Sequence, residues 1–259
     1  MQRFSLKPYI DIDPVFGDHF LNANFAISGD GSRFLIMRSS PKSSYLLNLE
    51  TRQWNTFEIQ QKCFDATWSP DKKTIALGCF GGGLNEIYFF DMVSKSLEAV
   101  TDCTQNGDIC GSPNWSTNGR WLVYARGSGR SGPATGNGGI YVIDTSCVPN
   151  KNCMDTQIGP IESDGNSVWS LDNKLLFTHS GIINSFDPKN HTYKNTSIHL
   201  PDSTLGIAIK LSPDAKYLAF SASKTSGKTI YLYSIETNKS DVLLDDPSIS
   251  SIIGWIVIP

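Results

Sequence analysis

The sequence predicts an all-β chain, a β-propeller of five to six four-stranded antiparallel blades. Three observations predict it. A turn-and-strand string recurs at blade-like intervals, each copy is followed by further short apolar strands, and no segment carries the 3.6-residue periodicity of an amphipathic helix.

The recurring string opens each unit. It reads Ile27-Ser-Gly-Asp, Trp68-Ser-Pro-Asp, Trp115-Ser-Thr-Asn, Trp169-Ser-Leu-Asp and Leu211-Ser-Pro-Asp, with the anchors 41, 47, 54 and 42 residues apart. A short apolar run ends at each anchor. The turn follows, because Pro presets φ and Asp, Asn and Gly favour turn conformations. A second strand comes next, such as Thr74 to Leu77 or Trp121 to Tyr124. A third begins with an aromatic, as in Ile87-Tyr-Phe-Phe, Ile140-Tyr-Val-Ile and Ile230-Tyr-Leu-Tyr, and ends at Asp91, Asp144 or Asp187. A more polar fourth strand closes the unit, for instance Leu97 to Val100 or Asp241 to Leu244. One such sheet cannot bury both faces alone; packing face to face against its neighbours does so. The Trp at each turn is expected to pack between blades.

At the ends, Ile252 to Pro259 reads as the first strand of another unit, and Tyr9 to Asp13 as a strand. These pieces do not complete a four-stranded blade. The expectation is one propeller domain over 1–259, with a sixth, depleted blade or a continuation into a longer chain. A terminal run this apolar needs a strand partner.

The Trp-Ser-Pro-Asp turn, followed by a β-branched or aromatic strand and then Ile-Tyr-x-x-Asp, resembles the TolB-like (PD40, WD40-like) β-propeller repeat. The resemblance runs from about residue 20 to 250 and is strongest in blades two, three and five. It implies the fold. It leaves function open, since propellers of this type serve as interaction scaffolds, periplasmic or cell-surface modules and substrate gates for hydrolases.

Composition narrows the function classes. The 259 residues carry a net charge of −3, which argues against a nucleic-acid partner, and no apolar run approaches the length of a membrane helix. Residues Met1 to Ile10 lack the apolar stretch of a signal peptide.

Six cysteines fall into neighbouring pairs: Cys63 with Cys79, Cys103 with Cys110 and Cys147 with Cys153. Cys63 and Cys79 lie symmetrically about the Ser-Pro-Asp turn, so they face each other across one hairpin. Cys103 and Cys110 bracket the loop joining blades two and three. Cys147 and Cys153 bracket the turn between the third and fourth strands of blade three. Three disulfides predict an oxidising compartment: periplasm, cell surface or medium.

Several motifs carry no chemistry. Ala222 to Thr229 approximates a phosphate-binding loop, but a strand follows it where that chemistry needs a helix N-terminus. The four histidines show no zinc spacing, and Asp11, Asp13 and Asp18 lack the closing Glu of a calcium loop. No metal and no cofactor are expected. No Gly-x-Ser-x-Gly elbow occurs.

In a blade of alternating strands, the Ser-Pro-Asp turns share one face. The opposite face gathers the Gly-rich loop Gly127 to Gly139, the Cys103–Cys110 loop and the loop from Phe80 to Glu86. Phe80, Arg126 and Arg130 are the predicted contact residues there. The predicted function is a non-enzymatic, monomeric extracytoplasmic binding propeller that recognises a protein, peptide or glycan. The alternative is a propeller that gates or belongs to a hydrolase, a peptidase or glycosidase whose catalytic part lies elsewhere. A glycosidase within the chain would need paired carboxylates at the channel mouth.

Overall fold

The structure, a computed structural model, describes residues 23–38, 43–81, 83–128, 139–147, 153–158, 167–179, 181–199, 209–212, 214–224, 227–237 and 239–246. Among the described residues, twenty strands form five four-stranded antiparallel sheets, each made of four consecutive strands. Blade one holds β1 (Ala23–Ile27), β2 (Arg33–Arg38), β3 (Ser43–Asn48) and β4 (Trp54–Glu58). Blade two holds β5 (Cys63–Trp68), β6 (Thr74–Gly81), β7 (Leu84–Asp91) and β8 (Leu97–Ala99). Blade three holds β9 (Asp108–Trp115), β10 (Trp121–Ser128), β11 (Gly139–Asp144) and β12 (Asp155–Gln157). Blade four holds β13 (Ser167–Trp169), β14 (Leu175–His179), β15 (Ile182–Asp187) and β16 (Thr192–His199). Blade five holds β17 (Ile209–Leu211), β18 (Tyr217–Lys224), β19 (Gly227–Ser234) and β20 (Lys239–Asp246). The first strands of successive blades stand side by side, as a propeller requires. The terminal strands proposed for a sixth blade lie outside the described residues, as does the Gly-rich loop from 129 to 138.

The core is divided among the blade interfaces, because alternate residues of each strand face opposite neighbours. Leu35 and Met37 of blade one meet Trp68, Ile75, Leu77 and Phe90 of blade two. Ala76, Ile87 and Phe89 meet Trp115, Leu122 and Tyr124 of blade three. Val123 and Val142 meet Trp169, Leu175 and Phe177 of blade four. Val168 and Ile183 meet Leu218, Phe220 and Tyr233 of blade five. The anchor tryptophans therefore do pack between blades.

The anchor turn is the same object five times. The serine hydroxyl donates to the Asx side chain two residues on, at Ser28–Asp30, Ser69–Asp71, Ser116–Asn118, Ser170–Asp172 and Ser212–Asp214, over 2.5–2.8 Å. The same oxygen accepts the N–H of the residue that starts the next strand (Arg33, Thr74, Trp121 or Tyr217) or, in the fourth copy, which is one residue shorter, of Lys174 just before β14. The residue three after the serine is left-handed in every copy: Gly31, Lys72, Gly119, Asn173 and Ala215. Side chains also tie turn to turn. Lys72 pairs with Asp30 at 2.7 Å, and Thr117 donates to Asn173 at 2.8 Å.

Two expected loops are shorter than the sequence suggested. β6 runs to Gly81 and β7 begins at Leu84, so most of the Phe80–Glu86 segment is strand closed by a tight glycine turn. Cys110 lies within β9, so the Cys103–Cys110 bridge ties a loop to an inner strand. In both places a polar or glycine-rich composition hides a strand whose hydrogen bonds are satisfied by its neighbour.

Candidate binding rim at the junction of blades two and three

The end of the propeller opposite the anchor turns is distinctive where blades two and three meet. Cys63 and Cys79 are directly opposed on β5 and β6 and are joined, with Cα atoms 3.9 Å apart. The next residue on each strand is a phenylalanine. Phe64 and Phe80 meet edge to face at 5.6 Å between centroids, and the Phe80 N–H donates to the Lys62 carbonyl at 2.9 Å. Phe64 lies against two glycines. A Cβ at Gly78 would stand 3.2 Å from its ring, and one at Gly111 would stand 3.4 Å from it. Phe80 is 43% exposed, with the Lys62 ammonium 5.3 Å from its ring centroid.

A second set of bonds holds the tip of this hairpin from the blade-three side. Thr104 donates its hydroxyl to the Gly81 carbonyl at 3.2 Å. Glu86, buried on β7, accepts the Cys103 N–H at 2.9 Å, the Thr104 N–H at 3.0 Å and the Thr101 hydroxyl. Its carboxylate thereby satisfies the amides of the 3-10 turn at Thr104–Asn106, which would otherwise be buried unpaired. Cys103 is bridged to Cys110, with Cα atoms 6.1 Å apart. The Glu86 carboxylate and these two sulfurs lie within 4.8 Å of one another. Joined in a disulfide, the sulfurs offer no thiolate, so the cluster is a loop anchor and not a metal site.

Below the tip lies an ionic network. Arg126 of β10 donates through Nε to Asp108 at 2.8 Å, and its Nη1 stands 3.4 Å from Asp155. Its guanidinium covers the Tyr141 ring at 5.4 Å, and Tyr124 stacks on Tyr141 and donates to Asp155. Burial, reinforced by the Asp155 hydrogen bond, pushes the Tyr124 hydroxyl far above the ordinary tyrosine range. Burial alone would loosen the proton on Arg126, but the Asp108 bond together with the electrostatic pull of Tyr124, Asp108 and Asp155 outweighs it and holds that pKa above its usual value. Asp155 follows Cys153, which is bridged to Cys147 with Cα atoms 5.1 Å apart. One guanidinium thus ties Asp108, inside the Cys103–Cys110 loop, to β12, the strand after the Cys147–Cys153 loop.

Nearer the axis, Asp65 of β5 accepts the Ser112 N–H of β9 at 2.9 Å. Ser112 sits at φ 54°, where a non-glycine residue is strained. Burial pushes the Asp65 carboxyl up, against the stabilising hydrogen bond from Ser112.

All three predicted disulfides are present, and no cysteine is free among the described residues. Phe80 and Arg126 belong to one junction. Phe80 shares its β6 face with Ala76, and Arg126 shares its β10 face with Leu122 and Tyr124, all in the core between blades two and three. Phe80 is open to solvent. The Arg126 side chain is only 10% exposed and is bound to two carboxylates. Arg130 lies outside the described residues. Sequence reasoning did not find Glu86, Asp108 or Asp155. Their partners are 15 to 31 residues away along the chain, and no local pattern marks such pairs.

No family model and no curated protein matches this chain. Solved structures do. A putative TolB from Agrobacterium tumefaciens superposes with a TM-score of 0.63 at 17% identity, covering 86% of this chain and 80% of that one. TolB from Acinetobacter baumannii gives 0.62 at 16% identity over 84% of this chain. The tricorn protease gives 0.55 at 15% identity over 86% of this chain. The chain spans about half the length of the A. baumannii TolB chain (52%) and 26% of the tricorn chain. Identities this low carry the fold and not the activity. The fold read from the repeat is therefore the fold observed, a TolB-like β-propeller with five blades among the described residues.

Proposed function

We propose that the chain is a non-enzymatic, extracytoplasmic binding propeller. Its partner docks on the rim where blades two and three meet, with Phe80 and Arg130 as contact residues and the largely buried Arg126 beneath them. Phe80 supplies the apolar anchor, while Arg126 braces the strand from which the 129–138 segment departs. The observation that carries this reading is an exposed aromatic ring held rigid by a disulfide directly behind it. A preorganised aromatic loses little conformational entropy on binding, which is the character of an interface hot spot. Three disulfides support an oxidising setting, periplasmic, cell-surface or secreted. No helix among the described residues is long and apolar enough to cross a membrane.

The alternative is a propeller serving a hydrolase whose catalytic part lies elsewhere. It rests on fold likeness alone and leaves the braced rim unexplained. Photo-crosslinking separates face from face. With a benzophenone amino acid at position 80, the partner in the source cells should be captured. At position 93, on a turn at the opposite end and 82% exposed as valine, it should not. Capture from 93 and not from 80 places the interface on the wrong face and sinks the proposal. Deleting 129–137 should leave thermal stability nearly unchanged and remove partner binding; binding that survives removes the segment and Arg130 from the site.

A further inference from the structure

Resting on the binding rim just proposed, we infer that its occupant is an acidic peptide segment carrying an apolar side chain, which packs on Phe80 while a neighbouring carboxylate pairs with Lys62. The inference follows from how charge is distributed around the ring. Of the acids near this end of blades two and three, Asp102 is exposed on the turn, while three others are turned into the body of the protein. Glu86 is filled by Thr101, Cys103 and Thr104. Asp108 is taken by Arg126. Asp65, half-buried, accepts the Ser112 N–H. Lys62 points the other way, exposed and 5.3 Å from the Phe80 centroid. A chain of net negative charge thus presents an apolar ring beside a cation at this spot.

The same distribution favours a peptide over a glycan. Sugar recognition stacks a pyranose on an aromatic ring and holds its hydroxyls with carboxylate or amide side chains beside that ring. Here the carboxylates of Glu86, Asp108 and Asp65 are already occupied, and phenylalanine has no polar handle of its own. An aliphatic side chain needs neither.

The test uses the whole chain labelled with 4-fluorophenylalanine, the Phe80 resonance being assigned from Phe80→Leu. Blocked Ac-Leu-Glu-Glu-NH2 should shift that resonance saturably. Ac-Leu-Lys-Lys-NH2 and Ac-Gly-Glu-Glu-NH2 should bind several-fold more weakly. An exposed ion pair discriminates by up to about fivefold, so Lys62→Gln should erase the preference for the acidic over the basic peptide while leaving the fold intact by circular dichroism. No shift up to about 10 mM, the weakest range such contacts reach, overturns the inference, as does an equal response to the basic peptide. Tighter binding of tetragalacturonate at the same resonance would replace the peptide by an acidic glycan and leave the rim standing. Crosslinking from position 80 tests the rim itself, so the two failures are distinguishable.

Discussion

At one end of each blade a serine hydroxyl, an Asx side chain and a left-handed residue close the same turn, five times over. At the other end of blades two and three, no fixture occurs twice. One hairpin is clamped by a cross-strand disulfide, one turn is filled by Glu86, and Arg126 ties Asp108, inside the Cys103–Cys110 loop, to Asp155 of β12. The repeated end is what any blade needs to reverse its chain. The unrepeated end spends buried charge on holding a few side chains still. In a repeat protein, departures from the repeat are therefore where to look for function, because the fold does not require them.

The contrast can be broken most sharply at Arg126. Arg126→Ala leaves Asp108, 4% exposed in the native protein, as a buried charge without its partner. The expected loss is about 3–5 kcal/mol, read as a lower denaturant midpoint at unchanged slope. A loss below about 1 kcal/mol would mean that this end is held no more firmly than a surface pair. Intermediate effects belong to the repeated end. Ser69→Ala and Ser116→Ala each remove two hydrogen bonds from a buried turn. Each should cost about 1–2 kcal/mol, and the two costs should agree, since the turns are copies. Widely different values would show that the turns are alike in geometry and not in energy. The smallest change sharpens the comparison from the opposite sign. Ala215 holds a left-handed conformation at φ 56°. Relief of about 1–2 kcal/mol in Ala215→Gly is offset by glycine's entropy of about 0.5–1 kcal/mol. A net gain near 0.5 kcal/mol should appear as a higher melting temperature, whereas a loss would show that the conformation carries no strain. Lys72→Gly should gain less, because it also gives up the Asp30 pair.

The repeated end was legible in the sequence for the reason that makes it repeated. Ser-Pro-Asp states its turn locally, through the dihedral preferences and short hydrogen bonds of three adjacent residues. Gly31 and Gly119 even announced the left-handed position, although Lys72 and Ala215 did not. The Cys63–Cys79 pairing was legible too, although the register beside the turn would set Cys63 against Phe80, and a bulge at Phe64 is what brings Cys79 opposite it. The site end was legible only in outline. Arg126 read as a contact residue because a guanidinium beside a glycine-rich loop looks available. Its partners lie 18 and 29 residues away, on other strands of the blade. Glu86 read as part of a polar loop, since Leu-Asn-Glu carries no sign that its carboxylate is buried. Long-range electrostatic pairing leaves no periodic trace, so the fold could be read from the chain while the internal bracing of the rim could not.

Each described disulfide joins a cysteine to the next one along the chain, and each blade is completed before the next begins. Six cysteines admit 15 pairings. A chain emerging amino terminus first into an oxidant would nonetheless form the native set simply by closing each bond as its second sulfur arrives. No sulfur has to wait for a partner still to be made, and no bond has to be broken and remade. Order of synthesis alone is enough to direct oxidation, so this propeller should mature without dependence on a disulfide-shuffling catalyst.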